Sequence, residues 1–379
     1  MTRSTCHPWL DRFAWLTAAA TFLLLGLGGL VTSHEAGMAV PDWPTTYGYN
    51  MFLFPIHHWQ GNIFYEHTHR LLASFVGLLT GGLAVWLWLR ESRSWLRRLG
   101  AVAFVAILLQ GLLGGLRVTL LKDEIGILHA ILAQSFFVLV TLIALFSSGK
   151  AGTFVVSLRA NRISRGLYWL TICGTGLIFI QLILGATMRH QHAGLAVPDF
   201  PLAYGRVWPR MDAPFLERIN SQRLDTEQLN PVTAFQIRLQ MAHRLVALSI
   251  LLLVGYVAWK ARRELGAGSL PAKFAAAWCG VIGLQAALGA ATIWSNKAAD
   301  VATAHVLCGA LSLQAGAIFS VGLIIQKQAG RHRAQTPGPA HGEDRGVTEG
   351  ETRVAEGTLD AIGVGAIPEL AAATVKEAQ

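Results

Sequence analysis

The chain has 379 residues, of which 53% are hydrophobic and only 14% charged. Soluble domains carry about 25% charged residues, so this composition excludes a water-soluble globular protein and points to the bilayer. The formal net charge of +9 does not signal nucleic acid, because the basic residues cluster in short stretches between apolar runs, where such charge sets membrane topology.

In chain order, apolar runs of spanning length occur at 12–33, 68–90, 97–117, 125–147, 165–188, 236–260, 271–294 and 301–326. Each is near the roughly 20 residues that a bilayer crossing needs. The first follows Arg3 and Arg12 and is longer than the about 7–15 apolar residues of a signal peptide, so it reads as a retained helix. Arg90, Arg93, Arg97 and Arg98 fill the second loop; Lys150, Arg159, Arg162 and Arg165 fill the fourth; Lys260, Arg262, Arg263 and Lys273 fill the sixth. Residues 34–67 contain no Lys or Arg. The positive-inside rule therefore places both termini in the cytoplasm and the odd-numbered loops outside a prokaryotic plasma membrane. The expected architecture is an all-α integral membrane protein of eight transmembrane helices, arranged as two pseudo-symmetric four-helix bundles in residues 1–150 and 151–329. An even number of spans in each makes them parallel repeats. Residues 330–379, rich in Gly, Ala, Pro and charge, read as a disordered cytoplasmic tail. The four cysteines, Cys6, Cys173, Cys279 and Cys308, lie near the N-terminus or inside apolar runs, so neither a disulfide nor a cysteine metal site is expected.

Two repeats support the division into halves. The stretch AGMAVPDWPTTYGYN at 36–50 recurs 157 residues later as AGLAVPDFPLAYGRV at 193–207. Pro41 and Pro44, with Pro198 and Pro201, prevent a helix through either copy. Spans three, five and seven also share a Gln-x-x-x-Gly pattern: Gln110 with Gly114, Gln181 with Gly185, Gln285 with Gly289. Glycines so placed let neighbouring helices approach closely.

Four histidines stand near the starts of the even-numbered spans: His69, His129, His243 and His305. Their spacing repeats, 60 residues in the first half and 62 in the second, so each half offers two imidazoles at one depth. Ionisable groups inside spans are functional by default. Two facing imidazoles in a helix bundle suit axial ligation of haem iron. Zinc would require further ligands that do not recur in both halves. The reading is two bis-histidine haem sites, His69 with His129 and His243 with His305. Glu66 stands one turn before His69 and shares its helix face; the matching residue before His243 is the neutral Gln240. A carboxylate in one copy alone suggests one reactive site and one electron-transfer site. Arg70 and Arg244 follow their histidines and are candidate contacts for haem propionates.

The motif Glu66-His67-Thr68-His69-Arg70, the partner histidines His129, His243 and His305, the eight spans and the AGMAVPDWP loop together resemble the haem A synthase family over roughly residues 12–326. That resemblance implies oxidation of the C8 methyl of haem O to a formyl group, yielding haem A for terminal oxidases. It implies that Glu66, His69 and His129 belong to the substrate-haem half, with Glu66 catalytic, and that His243 and His305 hold a haem b. Haem O synthase and an unidentified electron acceptor are the implied partners, besides membrane lipid; homo-oligomerisation stays open. Some members carry a cysteine pair in the outer loop, and both loops here lack cysteine. Two other readings fit the paired histidines: a purely electron-transferring, quinol-linked dihaem cytochrome, and a parallel-repeat transporter that uses histidines as a proton relay.

Overall fold

The computed structural model describes residues 8–148, 157–158, 163–227 and 231–335. The described residues form nine α-helices: α1 Pro8–Ser33, α2 Gly61–Arg90, α3 Ser94–Leu120, α4 Asp123–Ser147, α5 Arg165–His190, α6 Ala213–Glu227, α7 Ala234–Leu265, α8 Leu270–Trp294 and α9 Ala299–Gln335. Among them, every helix except α6 is long and apolar enough to cross a membrane.

Local chemistry sets several of the helix starts. Ser164 accepts the Leu167 N–H at the start of α5, and Ser269 accepts the Ala272 N–H at the start of α8, where Pro271 occupies the first turn. Thr233 and Gln236 form a reciprocal capping box on α7. Each of these supplies an acceptor to an otherwise unpaired first-turn donor.

Helices α1 and α2, α2 and α3, α3 and α4, and α1 and α4 pack together in the first half. In the second, α5 packs on α7, α7 on α8, α8 on α9 and α5 on α9. The halves meet where α1 touches α9 and where α4 touches α5 and α9. Accordingly the apolar stretch of α9 is 67% buried and that of α4 50%, against 22% for α5 and α8; α9 and α4 form the centre. The remaining spans turn Leu78, Leu108, Leu252 and Trp259 outward, as lipid-facing helices must. One buried cluster holds Val76, Leu83, Leu96, Val140 and Ile143, and a second holds Ile178, Val254, Trp278, Phe319 and Leu323. The connections after α1, α3, α5 and α8 share one face of the bundle, called here the loop face.

The spans expected from hydropathy are all present, but several run longer. Helix α2 begins at Gly61 and α7 at Ala234. His69 and His243 therefore lie more than two turns inside their helices rather than at the first turn. Hydropathy misses these turns because they carry polar residues, among them Glu66, His67 and Gln240, which the overlying loops bury. Helix α6 was not legible as an element; it covers the second loop with Phe215 and Ile219, which pack on Val197, Val232 and Met241. Helix α9 continues to Gln335, past the 329 boundary drawn from composition, and the rest of the expected tail lies outside the described residues. Cys173, Cys279 and Cys308 are unpaired thiols; Cys6 is outside the described residues.

The arginine pattern predicts which side the loop face occupies. Reporter fusions after Gln60 and after Ser92 should signal from the periplasmic and cytoplasmic sides respectively; signals from one side would reject the eight-span topology.

Candidate functional site

The repeated loops share a common set of hydrogen bonds. In the first, the Asp42 carboxylate accepts the Tyr47 and Gly48 N–H groups at 2.7 and 2.8 Å. In the second, Asp199 accepts those of Tyr204 and Gly205 at 2.6 and 2.8 Å. Thr46 bridges Tyr49 as Ala203 bridges Arg206. Tyr47 donates its hydroxyl to the Ala39 carbonyl, and Tyr204 to that of Ala196. The turn needs left-handed backbone at Tyr47 and Tyr204, with φ of 51° and 53°. A tyrosine there is unfavourable, and the aspartate and carbonyl bonds hold it. Burial raises the Asp42 carboxyl, but hydrogen bonds from Gly48, Thr45 and Tyr47 outweigh it and hold the group below the usual carboxylate range. The loop contribution of Asp42 is therefore complete above its unfolded value near 3.8 and is lost as pH falls through the lower folded value.

Each loop is latched by the helix that follows it. Arg70 spends its four terminal N–H bonds on the carbonyls of Asp42 and Thr45 and, from its second nitrogen, on the carbonyl of Val40 and the carboxylate of Glu66. Glu66 is 4% exposed, and its other oxygen accepts the Val40 N–H at 2.8 Å. In the second half Arg244 donates to Leu202, Asp199 and Val197, and Gln240 accepts the Val197 N–H at 2.6 Å. The Gln240 amide also donates to the Gly194 and Val197 carbonyls. Glu66 and Gln240 thus make the same backbone bond, one as an anion and one as a neutral amide. His67, fully buried, is held by Thr46, Phe54 and Trp59 and supports the first loop; Met241 takes its place under the second.

The four histidines predicted as ligands share one seat. Each lies across a glycine of the spanning helix that precedes its own: His69 on Gly28, His129 on Gly114, His243 on Gly185 and His305 on Gly289. A Cβ at any of these glycines would stand only 3.1–3.3 Å from the ring Cε1, inside ordinary van der Waals contact. The Gln-x-x-x-Gly pattern gains a second meaning here. Gln110 donates to the His129 carbonyl at 2.9 Å and Gln181 to the His243 carbonyl at 2.8 Å, so the glutamine fixes the helix segment whose ring the glycine receives. On α8 the backbone of Gln285 instead meets His305 Nδ1 at 3.1 Å. His243 and His305 have ring centroids 6.5 Å apart and planes at 63°. Nδ1 of His69, His129 and His243 is buried without a hydrogen-bond partner.

The spacing of His243 and His305 suits a metal between the two rings. Imidazole nitrogens bond metals at about 2 Å, which sets opposed ring centroids on the order of 6 Å apart. Metal-bound histidines commonly give their second N–H to a carbonyl; His305 Nδ1 lies 3.1 Å from the Gln285 carbonyl, and its Nε2 lies 3.4 Å from the Gln285 amide nitrogen. No group of three or more His, Cys, Asp and Glu able to enclose a metal ion occurs among the described residues.

The site defines a multi-pass helical membrane protein with histidines seated in pairs beneath two latched loops. The chain matches the model of the COX15-CtaA family, cytochrome oxidase assembly proteins, over residues 11–316, and it belongs to that family. It is 28% identical over 264 residues to a heme A synthase of Lysinibacillus sphaericus, covering 66% of this chain and 75% of the relative. It is 28% identical over 316 residues to a heme A synthase of Beijerinckia indica, covering 74% and 83%, and 30% identical over 224 residues to one of Shouchella clausii, covering 58% and 70%.

The latch makes a differential prediction. Arg70→Ala strands the buried Glu66 carboxylate and should cost about 3 kcal/mol or more, whereas Arg244→Ala leaves only neutral Gln240 and should cost less. Thermal unfolding in detergent reads both. Equal losses, or an Arg70→Ala loss that persists undiminished in a Glu66→Gln background, would contradict the ion-pair account.

Proposed function

We propose that this protein is a haem A synthase: an oxidoreductase that converts the C8 methyl of haem O to a formyl group and supplies haem A to terminal oxidases. The halves are read as parallel repeats, the first binding the substrate and the second a resident haem b. The observation that carries the reading is the seating of four imidazoles on four glycines combined with the unequal pair Glu66 and Gln240. His69 and His129 are the residues that would hold haem O, and His243 and His305 those that would hold haem b. A bound haem b would supply one-electron redox chemistry.

The chain's own residues have distinct tasks. The seats on Gly28 and Gly114 hold two rings rigidly, so a substrate gripped between them is fixed in position, which is the main protein contribution to a reaction within a bound ring. The latched loops cover the site and restrict water. Glu66 is the proposed acid–base group. Only two of the four lone-pair positions of its carboxylate are engaged, by Val40 and Arg70, which leaves acceptor capacity for a water or a substrate proton. The amide of Gln240 makes the corresponding loop bond without charge, so holding the loop does not require an anion. The charge at Glu66 then serves the chemistry of one half. Arg244, whose Nε is buried and unpartnered, is proposed to reach a propionate of haem b.

General acid–base groups contribute roughly 10²–10⁴-fold. Glu66→Gln should accordingly keep the fold and haem b while formyl product, measured by haem chromatography after co-expression with a haem O synthase, falls by about that factor. Normal haem A from a stable Glu66→Gln protein would remove the acid from the mechanism. His243→Ala and His305→Ala should each abolish or shift the haem b absorbance, and an unchanged spectrum in both would reject that pairing. A dihaem electron-transfer protein, the alternative, would yield no haem A in the same extraction.

A further inference from the structure

We infer that Arg117 binds the propionates of the haem in the first half, and thereby sets which edge of the ring faces Glu66. The inference rests on the two-haem reading above. Arg117 lies on α3 one turn beyond Gly114, the seat of His129, toward the loop face, and residues three apart share a helix face. Its positive charge acts on both His69 and His129, so it stands beside the pair rather than on a remote surface.

The guanidinium is packed but unspent. Its Nε is buried with no hydrogen-bond partner. Asp123 and Glu66 act on it only through space; Glu66 is already paired with Arg70, and Asp123 is 46% exposed and lies 3.9 Å from His190. Three other arginines near the histidines give their terminal nitrogens to the protein. Arg70 holds four loop and carboxylate oxygens, Arg244 three loop carbonyls, and Arg189 the Gly29 carbonyl and the Ser33 hydroxyl.

A slot is cut for Arg117 as well. A Cβ at Gly37 would fall 2.6 Å from one terminal nitrogen, and a Cβ at Gly126 would fall 2.9 Å from Nε. Gly37, and Gly126 together with the His190 ring whose Cε1 would be the nearest atom to a Cβ there, leave room for the guanidinium, whose Nε has no hydrogen-bond partner among the described residues. A cation in a low-dielectric setting needs an anion, and the propionates are the carboxylates a haem brings. Guanidinium also matches carboxylate geometry in a two-pronged bond.

The feature belongs to one half. One turn beyond Gly289, the equivalent seat on α8, stands Thr292. At this position only the half proposed to turn over its haem carries a cation. The propionates of haem O share one edge of the ring, flanked by two methyls of which C8 is one, so a fixed propionate edge narrows the methyls that can face Glu66. Arg117 is in this account a positioning residue.

The test uses the full-length chain carrying His243→Ala, which leaves the first-half site, purified in detergent and titrated with ferric haem b and with its dimethyl ester while Soret absorbance is followed. The parent should bind haem b about tenfold or more tighter than the ester, the worth of one charge-assisted hydrogen bond. Arg117→Gln should bring the two affinities together, and Arg117→Lys should restore part of the difference. Gly37→Ala, which retains the charge but obstructs the slot, should also reduce the preference, and it provides an independent reading if Arg117→Gln is not recovered folded. A preference that survives in Arg117→Gln or, where that variant is not recovered, in Gly37→Ala would overturn the assignment. Failure of the parent to bind either porphyrin would instead overturn the His69–His129 reading on which it stands.

Discussion

A polar or charged side chain inside a bilayer must find a partner within the protein, because neither lipid nor water will supply one. That constraint organises this molecule. Two of the glutamines in spanning helices meet it by donating to the carbonyls of His129 and His243. Glu66 and Arg70 meet it by pairing with each other and with the first loop. The loops cannot be helical through their prolines, and their exposed carbonyls are met by Arg70 and Arg244. Among the buried polar atoms left without a hydrogen bond are Nδ1 of three of the proposed ligand histidines and Nε of Arg117.

Against this common plan the differences between the halves become informative. The first loop places Trp43 directly on Gly115, where a Cβ would fall inside the indole; the second has the smaller Phe200, which meets Trp294. Helix α6 roofs the second loop, while the first is bordered by short turns at Met51–Leu53 and Ile56–His58. Charge differs in the same direction: Glu66 and Arg117 in the first half correspond to Gln240 and Thr292 in the second. The more charged site is the one proposed to carry out the reaction, and the more neutral one is proposed to retain its haem.

Much of this was legible in the sequence because it obeys simple periods. Eight apolar runs give eight spans, and the spacing of His69 with His129 and of His243 with His305 is what suggests the pairs. The repeat of the proline loop was visible, but not its reason, since the latch depends on contacts between residues about 26 to 47 positions apart. The Gln-x-x-x-Gly pattern could be seen as a helix contact but not as a seat for a ring, because that requires knowing which helix lies opposite. Arg70 was read from its position next to a histidine as a propionate contact, whereas its four terminal N–H bonds are used by the loop and Glu66. Arg117 carried no signal: it sits at the end of an apolar run, where arginines are ordinarily topological. Helix α6 was missed because its polar sequence gives no spanning signature and its few apolar residues act only against the loop.

The central claim is that paired imidazoles hold the haems. Near-infrared magnetic circular dichroism of the purified oxidised protein tests it most directly, because a low-spin ferric haem between two imidazoles has a charge-transfer band distinct from those of other ligand pairs. The account predicts a bis-imidazole band whose haem b contribution is lost when His243 or His305 is replaced by Ala. A band of histidine–methionine or high-spin character in the unaltered protein would contradict it.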